Sequence, residues 1–95
     1  MSIYLIATIK ARPEHRDEVA AVLQNMVKET RKEDANVQYD LHQGTADENL
    51  FVFYEIWKDQ QGLDAHNQQP YILEFGRLAQ GKLQEAPQIH LTRKI

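Results

Sequence analysis

A single α+β domain, with helices packed on one face of a mainly antiparallel sheet, is the fold class that the sequence predicts. Three observations carry it. Strand-type alternation recurs in four separate segments, one long amphipathic stretch divides the first from the second, and two shorter helical stretches divide the third from the fourth. The 95 residues have room for one such domain, residues 1–95, and no second. A domain this small buries only roughly 60% of the surface its unfolded chain exposes, so association with a second copy would strengthen it.

The first strand is Ile3 to Lys10, where Ile3, Leu5, Ala7 and Ile9 alternate with Tyr4, Ile6, Thr8 and Lys10. Pro13 suits the first position of a helix, where a missing N–H costs nothing. Glu14, Asp17 and Glu18 place negative charge near the positive end of that helix, and Lys28, Arg31 and Lys32 place positive charge near its other end. Between them Val19, Val22, Leu23, Met26 and Val27 form one apolar stripe, which predicts a helix over 13–32. Asn36 to Gln43 alternates again, with Val37, Tyr39 and Leu41 on one face.

The segment Gly44 to Asn49 has turn composition and joins it as a hairpin to Leu50–Trp57, the strongest strand in the chain. There Leu50, Val52, Tyr54 and Ile56 share one face, and Phe51, Phe53, Glu55 and Trp57 share the other. Asp59 can cap a short helix that brings Leu63 and His66 to one side. Pro70 opens another helix, and Gly81 is a suitable stop. The last strand runs from Gln88 to Ile95 and carries Ile89, Leu91 and Ile95. The resulting order, β-α-β-β-α-α-β, is the split-βαβ, ferredoxin-like plan. A strand apolar on both faces needs a cover on each. Helices supply one cover, and a second copy of the chain is the cheapest source of the other.

Composition narrows the function. The chain is 42% hydrophobic and 26% charged with a net charge of −3, and its Lys and Arg are scattered, so it lacks the electrostatic footprint of a nucleic-acid partner. No apolar run approaches the roughly 20 residues that span a bilayer, which leaves no membrane partner. The first residues have neither a positive n-region nor a cleavage site, so the expected location is cytoplasmic. With no Cys, disulfides and thiol nucleophiles are excluded, and the one Ser is Ser2. His15, His42, His66 and His90 form no H-x-H or H-E-x-x-H motif, and the four glycines form no phosphate cradle.

Two positions stand out. Glu55 shares its strand face with Phe53 and Trp57, where burial raises a carboxylate's pKa. It reads either as a buried base or substrate anchor, or as a structural carboxylate bonded to a backbone N–H or to Arg77 or Arg93. His66 ends a short helix before the Gln68-Gln69-Pro70 break. It reads either as an imidazole that accepts a proton from a phenol, or as a surface or capping histidine. Trp57, Tyr71, Phe75 and Tyr54 read as walls of an aromatic pocket or as plain core residues. His90 lies on a polar strand face that could look into a cavity.

Tyr54-Glu55-Ile56-Trp57-Lys58-Asp59, then Leu63-Asp64-Ala65-His66, then Gln69-Pro70-Tyr71 resemble the antibiotic biosynthesis monooxygenase family. That family's pattern is a strand ending in E-x-W, then L-x-x-H, then a polar residue and Pro before the next helix. The resemblance extends over nearly the whole chain. It implies a dimeric α+β barrel of two ferredoxin-like protomers with facing sheets, and a pocket between sheet and helices bordered by His66 and the Trp57 strand. Members include cofactor-free quinol and polyketide monooxygenases, haem-degrading enzymes and an isomerase of signalling-molecule phosphates. The haem-degrading branch needs a histidine in the last helix, at or near Gly76, and an Asn in the first strand, where this chain has Ala7-Thr8. Neither is present, so haem degradation is set aside.

The expectation is a cofactor-independent monooxygenase acting on an electron-rich aromatic such as a quinol or polyphenol, with no cofactor and no metal. Its partners would be a second copy of the chain, the small aromatic substrate and O₂. His66 and Glu55 are the expected catalytic groups, with Trp57, Tyr71, Phe75 and Tyr54 around the substrate. The alternatives are an isomerase or detoxifying enzyme on a small carbonyl compound, or a non-catalytic dimeric ligand-binding module. Fold alone does not choose among these.

Overall fold

The computed structural model describes all 95 residues and places the elements in the predicted order. They are β1 (Ile3–Lys10), α1 (Arg16–Thr30), β2 (Asn36–Gln43), β3 (Leu50–Trp57), α2 (Gln60–His66), α3 (Pro70–Ala79) and β4 (Gln88–Thr92). The sheet order is β2-β3-β1-β4, and every pairing is antiparallel. The two strands with apolar residues on both faces, β1 and β3, take the centre, where both edges are hydrogen-bonded.

Strand parity decides what lies under the helices. Phe51, Phe53, Glu55 and Trp57 are buried, while Leu50, Val52, Tyr54 and Ile56 on the other face are half-exposed. The register sets Leu5 opposite Glu55, Ala7 opposite Phe53 and Ile9 opposite Phe51, which extends the buried layer across β1. From above, Val19, Leu23 and Met26 of α1, Leu63 of α2 and Phe75 of α3 close onto it. Burying each large apolar side chain of that layer contributes about 1.5–3 kcal/mol. No helix covers the opposite face, and no helix is long and apolar enough to cross a membrane.

Three boundaries differ from the sequence reading. The first helix opens as a 3-10 turn over Pro13–His15 and becomes α-helical at Arg16. Proline suits this tight start because the first N–H groups of a helix have no internal partner. The last strand stops at Thr92, short of Ile95, because its pairing with β1 ends at Tyr4. A bulge between Asn36 and Gln38 leaves Val37 exposed rather than on the face of Tyr39 and Leu41. After α3, Gly81 takes a positive φ of 88°, a backbone conformation suited to glycine, and turns the chain back towards β1.

Candidate active site

The site is assembled where α2 meets the segment that follows α1. The Asp59 side chain caps α2 by accepting the Gly62 backbone N–H at 2.8 Å. A Cβ on Gly62 would lie 2.3 Å from the Ala35 Cβ, so glycine is what lets the helix approach this closely. The approach brings His66, at the end of α2, to Glu33: His66 Nδ1 lies 2.8 Å from Glu33 Oε2. The Tyr71 hydroxyl, from the start of α3, donates to the same oxygen, and Thr30 Oγ1 is 3.3 Å from that hydroxyl.

Aromatic rings enclose the imidazole. The Trp57 ring centre is 4.5 Å away, Tyr39 is 5.6 Å away and edge-on, and Tyr71 is 6.2 Å away. Trp57 is fully buried, and its indole Nε1–H donates to Glu55 Oε1 at 2.9 Å. One buried tryptophan thus packs on the histidine and fixes the carboxylate.

Glu55 and His66 both border a cavity of about 270 Å³ between the sheet and helices α2 and α3. Its walls are mostly apolar and include Leu5, Ala7, Met26, Tyr39, Phe53 and Phe75; Gln60 and Asn67 add polar groups. Ile89 and Leu91 of β4 complete the lining and remain more than half exposed. No Lys or Arg lines the cavity. The second Glu55 oxygen and His66 Nε2 have no partner within the protein and are not sealed off, so both remain free to meet a ligand. No three His, Cys, Asp or Glu side chains are gathered as metal ligands.

Burial sets the electrostatics. Glu55 is pushed up to about 7, chiefly by removal from water; the Trp57 hydrogen bond opposes the rise and the Glu33 charge adds to it. His66 is pushed below the usual histidine range, again chiefly by burial, against the hydrogen bond and charge of Glu33. Burial first, and then neighbouring acidic groups, raise the phenols of Tyr39 and Tyr71. The cavity therefore holds a carboxyl group poised to exchange a proton near neutral pH, beside an imidazole kept neutral.

Comparison with known proteins now bears on the chain as a whole. Residues 2–78, which include all of the polar groups just described, match the family described as Antibiotic biosynthesis monooxygenase. The chain belongs to that family. It is 41% identical over 80 residues to YcnE of Bacillus subtilis, a provisionally named monooxygenase, covering 84% of this chain and 82% of YcnE. It is 33% identical over 85 residues to Rv0793 of Mycobacterium tuberculosis, likewise provisionally named a monooxygenase, covering 90% and 82% of the two chains. Among solved structures, PA3566 from Pseudomonas aeruginosa superposes with a TM-score of 0.93 at 34% identity, covering 99% of this chain and 94% of that one. The α+β, ferredoxin-like fold is thus that of the antibiotic biosynthesis monooxygenases.

The geometry of the cavity corrects four sequence expectations. Tyr54 does not line the cavity: it stands on the helix-free face, because β3 parity opposes it to Phe53 and Glu55. Tyr71 does not wall the cavity either; its hydroxyl is turned to Glu33. Trp57 lies behind the cavity lining rather than in it, holding Glu55 and His66. His90 faces away, since its register partner is Ile6 on the open side, and the cavity takes Ile89 and Leu91 instead.

Phe75 does line the cavity. Neither Arg77 nor Arg93 meets Glu55, whose partner is an indole N–H. His66 is only 4% exposed, so it is not a surface or capping residue. Sequence reasoning missed Glu33, Tyr39 and Thr30. Glu33 sits in the run Arg31-Lys32-Glu33-Asp34, which looks like a solvated helix end, and its partner is 33 residues away.

Proposed function

We propose that this chain is a cofactor-independent monooxygenase of an uncharged, electron-rich aromatic such as a quinol or polyphenol. Convergence of Glu55 and His66 on one apolar cavity carries the reading. The mostly apolar lining offers the free atoms of Glu55 and His66 beside the amides of Gln60 and Asn67, which suits a ring bearing hydroxyl groups, and without Lys or Arg it offers no cation to an anionic group.

His66 or Glu55 takes a proton from the ring hydroxyl, and the phenolate that results gives an electron to O₂. The radical pair recombines as a ring hydroperoxide. This loses water to leave a quinone, so one oxygen atom enters the product and the other leaves as water. All the electrons come from the substrate. The protein's part is proton transfer, orientation and exclusion of bulk water.

The working unit in this reading is a homodimer. The half-exposed apolar face of Leu50, Val52, Tyr54 and Ile56 is what a second copy would cover. Oxygen uptake with a panel of mono- and bicyclic quinols tests the proposal, using protein dialysed against a chelator. Uptake that requires a quinol and survives dialysis is the expected result. Activity lost on chelation and restored by one metal, or binding of quinols without uptake, would overturn it.

A further inference from the structure

Glu33 belongs to the half-buried cluster around His66 but not to the cavity lining. Its side chain is 13% exposed, against 5% for His66. A carboxylate so withdrawn from water needs partners, and the neighbouring cations are engaged elsewhere: Arg31 with Asp40 at 3.0 Å and Lys32 with Glu29 at 3.2 Å. Instead, one Glu33 oxygen receives both His66 Nδ1 and the Tyr71 hydroxyl. A carboxylate can only accept, so the bond to Nδ1 places the imidazole proton there and leaves Nε2 with a lone pair. Nε2 is the ring nitrogen that has no protein partner and is not sealed off.

We propose that Glu33 is a positioning residue: by accepting from His66 Nδ1 and from Tyr71, it holds the imidazole in the tautomer and orientation whose free Nε2 serves the cavity. The catalytic part of this rests on the reading of His66 as a base. Tyr71 has its own part here. With Thr30 beside its hydroxyl, it fixes the Glu33 carboxylate that in turn fixes His66. The arrangement explains why a residue in the charged turn after α1 is largely withdrawn from water, and why α2 and α3 both converge on it. The other titratable groups around the ring are Glu55 of β3, Tyr39 of β2 and Tyr71 of α3.

The test begins with the unaltered protein. Long-range ¹H–¹⁵N spectra of the histidine rings, with His66 assigned through His66→Gln, are expected to show a protonated Nδ1 and an unprotonated Nε2. In Glu33→Ala the same signals should move towards the Nε2–H form. In Glu33→Leu, which keeps much of the side chain's volume but cannot accept a hydrogen bond, kcat on a quinol should fall about 10- to 100-fold, the scale known for losing the partner behind a metal-bound histidine. KM should move far less. A purely structural Glu33 would not move the ring tautomer or separate kcat from KM. An Nε2–H ring in the unaltered protein would overturn the proposal, as would variants with unchanged tautomer and kcat. If Glu33→Ala does not fold, the unaltered spectrum and Glu33→Leu decide. If no quinol is turned over, the proposed function fails, while the ring spectra still decide the role of Glu33.

Discussion

Replacing Glu55 by Gln gives the sharpest physical prediction. The amide keeps the size of the side chain and can still accept from Trp57 Nε1, but it cannot titrate. In the folded protein Glu55 is pushed up to about 7 from an ordinary 4.5. Between those pH values the folded chain keeps a proton that the unfolded chain has released, so protons favour folding there. The stabilisation is fully present below pH 4.5 and is lost as pH rises to and past about 7. The gap from 4.5 to 7 corresponds to about 3 kcal/mol, at about 1.4 kcal/mol per pH unit.

Glu55→Gln should therefore resemble the natural protein in stability near pH 5 and exceed it near pH 8. For a domain of this size the advantage should open by roughly 10–20 °C in Tm. His66 contributes with the opposite sign, since its pKa is lowered, but it is common to both proteins and drops out of the difference. Thermal melts of both proteins at pH 5 and pH 8, in matched salt, measure the effect. A difference in Tm that is the same at both pH values would refute the account of Glu55 as a buried carboxyl with a raised pKa.

Three further predictions follow from the packing. Gly62→Ala places a methyl group against Ala35, so it should cost about 1–3 kcal/mol and weaken the His66–Glu33 bond, read from a urea melt and the His66 ring signals. Tyr54→Lys alters the helix-free face and not the cavity; sedimentation should show a shift from dimer to monomer, and a dimer of unchanged stability would count against that face as the interface. His66→Gln keeps much of the buried volume and should lower turnover by about 100-fold, a usual scale for a lost general base. A variant as active as the parent would remove His66 from the chemistry.

The fold was legible because its signals are local. The stripe from Val19 to Val27 and the alternation along β1 and β3 depend on residues a few positions apart, and Pro13, Asp59, Pro70 and Gly81 mark boundaries through backbone chemistry alone. Half of the site was legible in the same way, because Glu55 stands out as a charge on a buried strand face. The remainder depends on contacts between distant segments. Glu33 meets His66 and Tyr71 only after α2 has packed against Ala35, and nothing in the Arg31–Asp34 run announces that. Tyr54 was misplaced because β3 is apolar on both faces; parity separates the two sets of residues without saying which set meets the cavity. Tyr71 was misplaced because helical spacing brings it to the right side of α3 but does not say where its hydroxyl turns.

The central claim is that this cavity deprotonates a substrate hydroxyl so that the ring takes one atom of O₂ directly. A reaction under ¹⁸O₂, in ordinary water and quenched promptly, tests it with a quinol that gives measurable uptake. The account predicts one ¹⁸O atom in each quinone product, the other in water, and no accumulation of hydrogen peroxide. Unlabelled quinone with one peroxide released for each O₂ consumed would contradict it, because the protein would then be passing electrons to oxygen without inserting an atom.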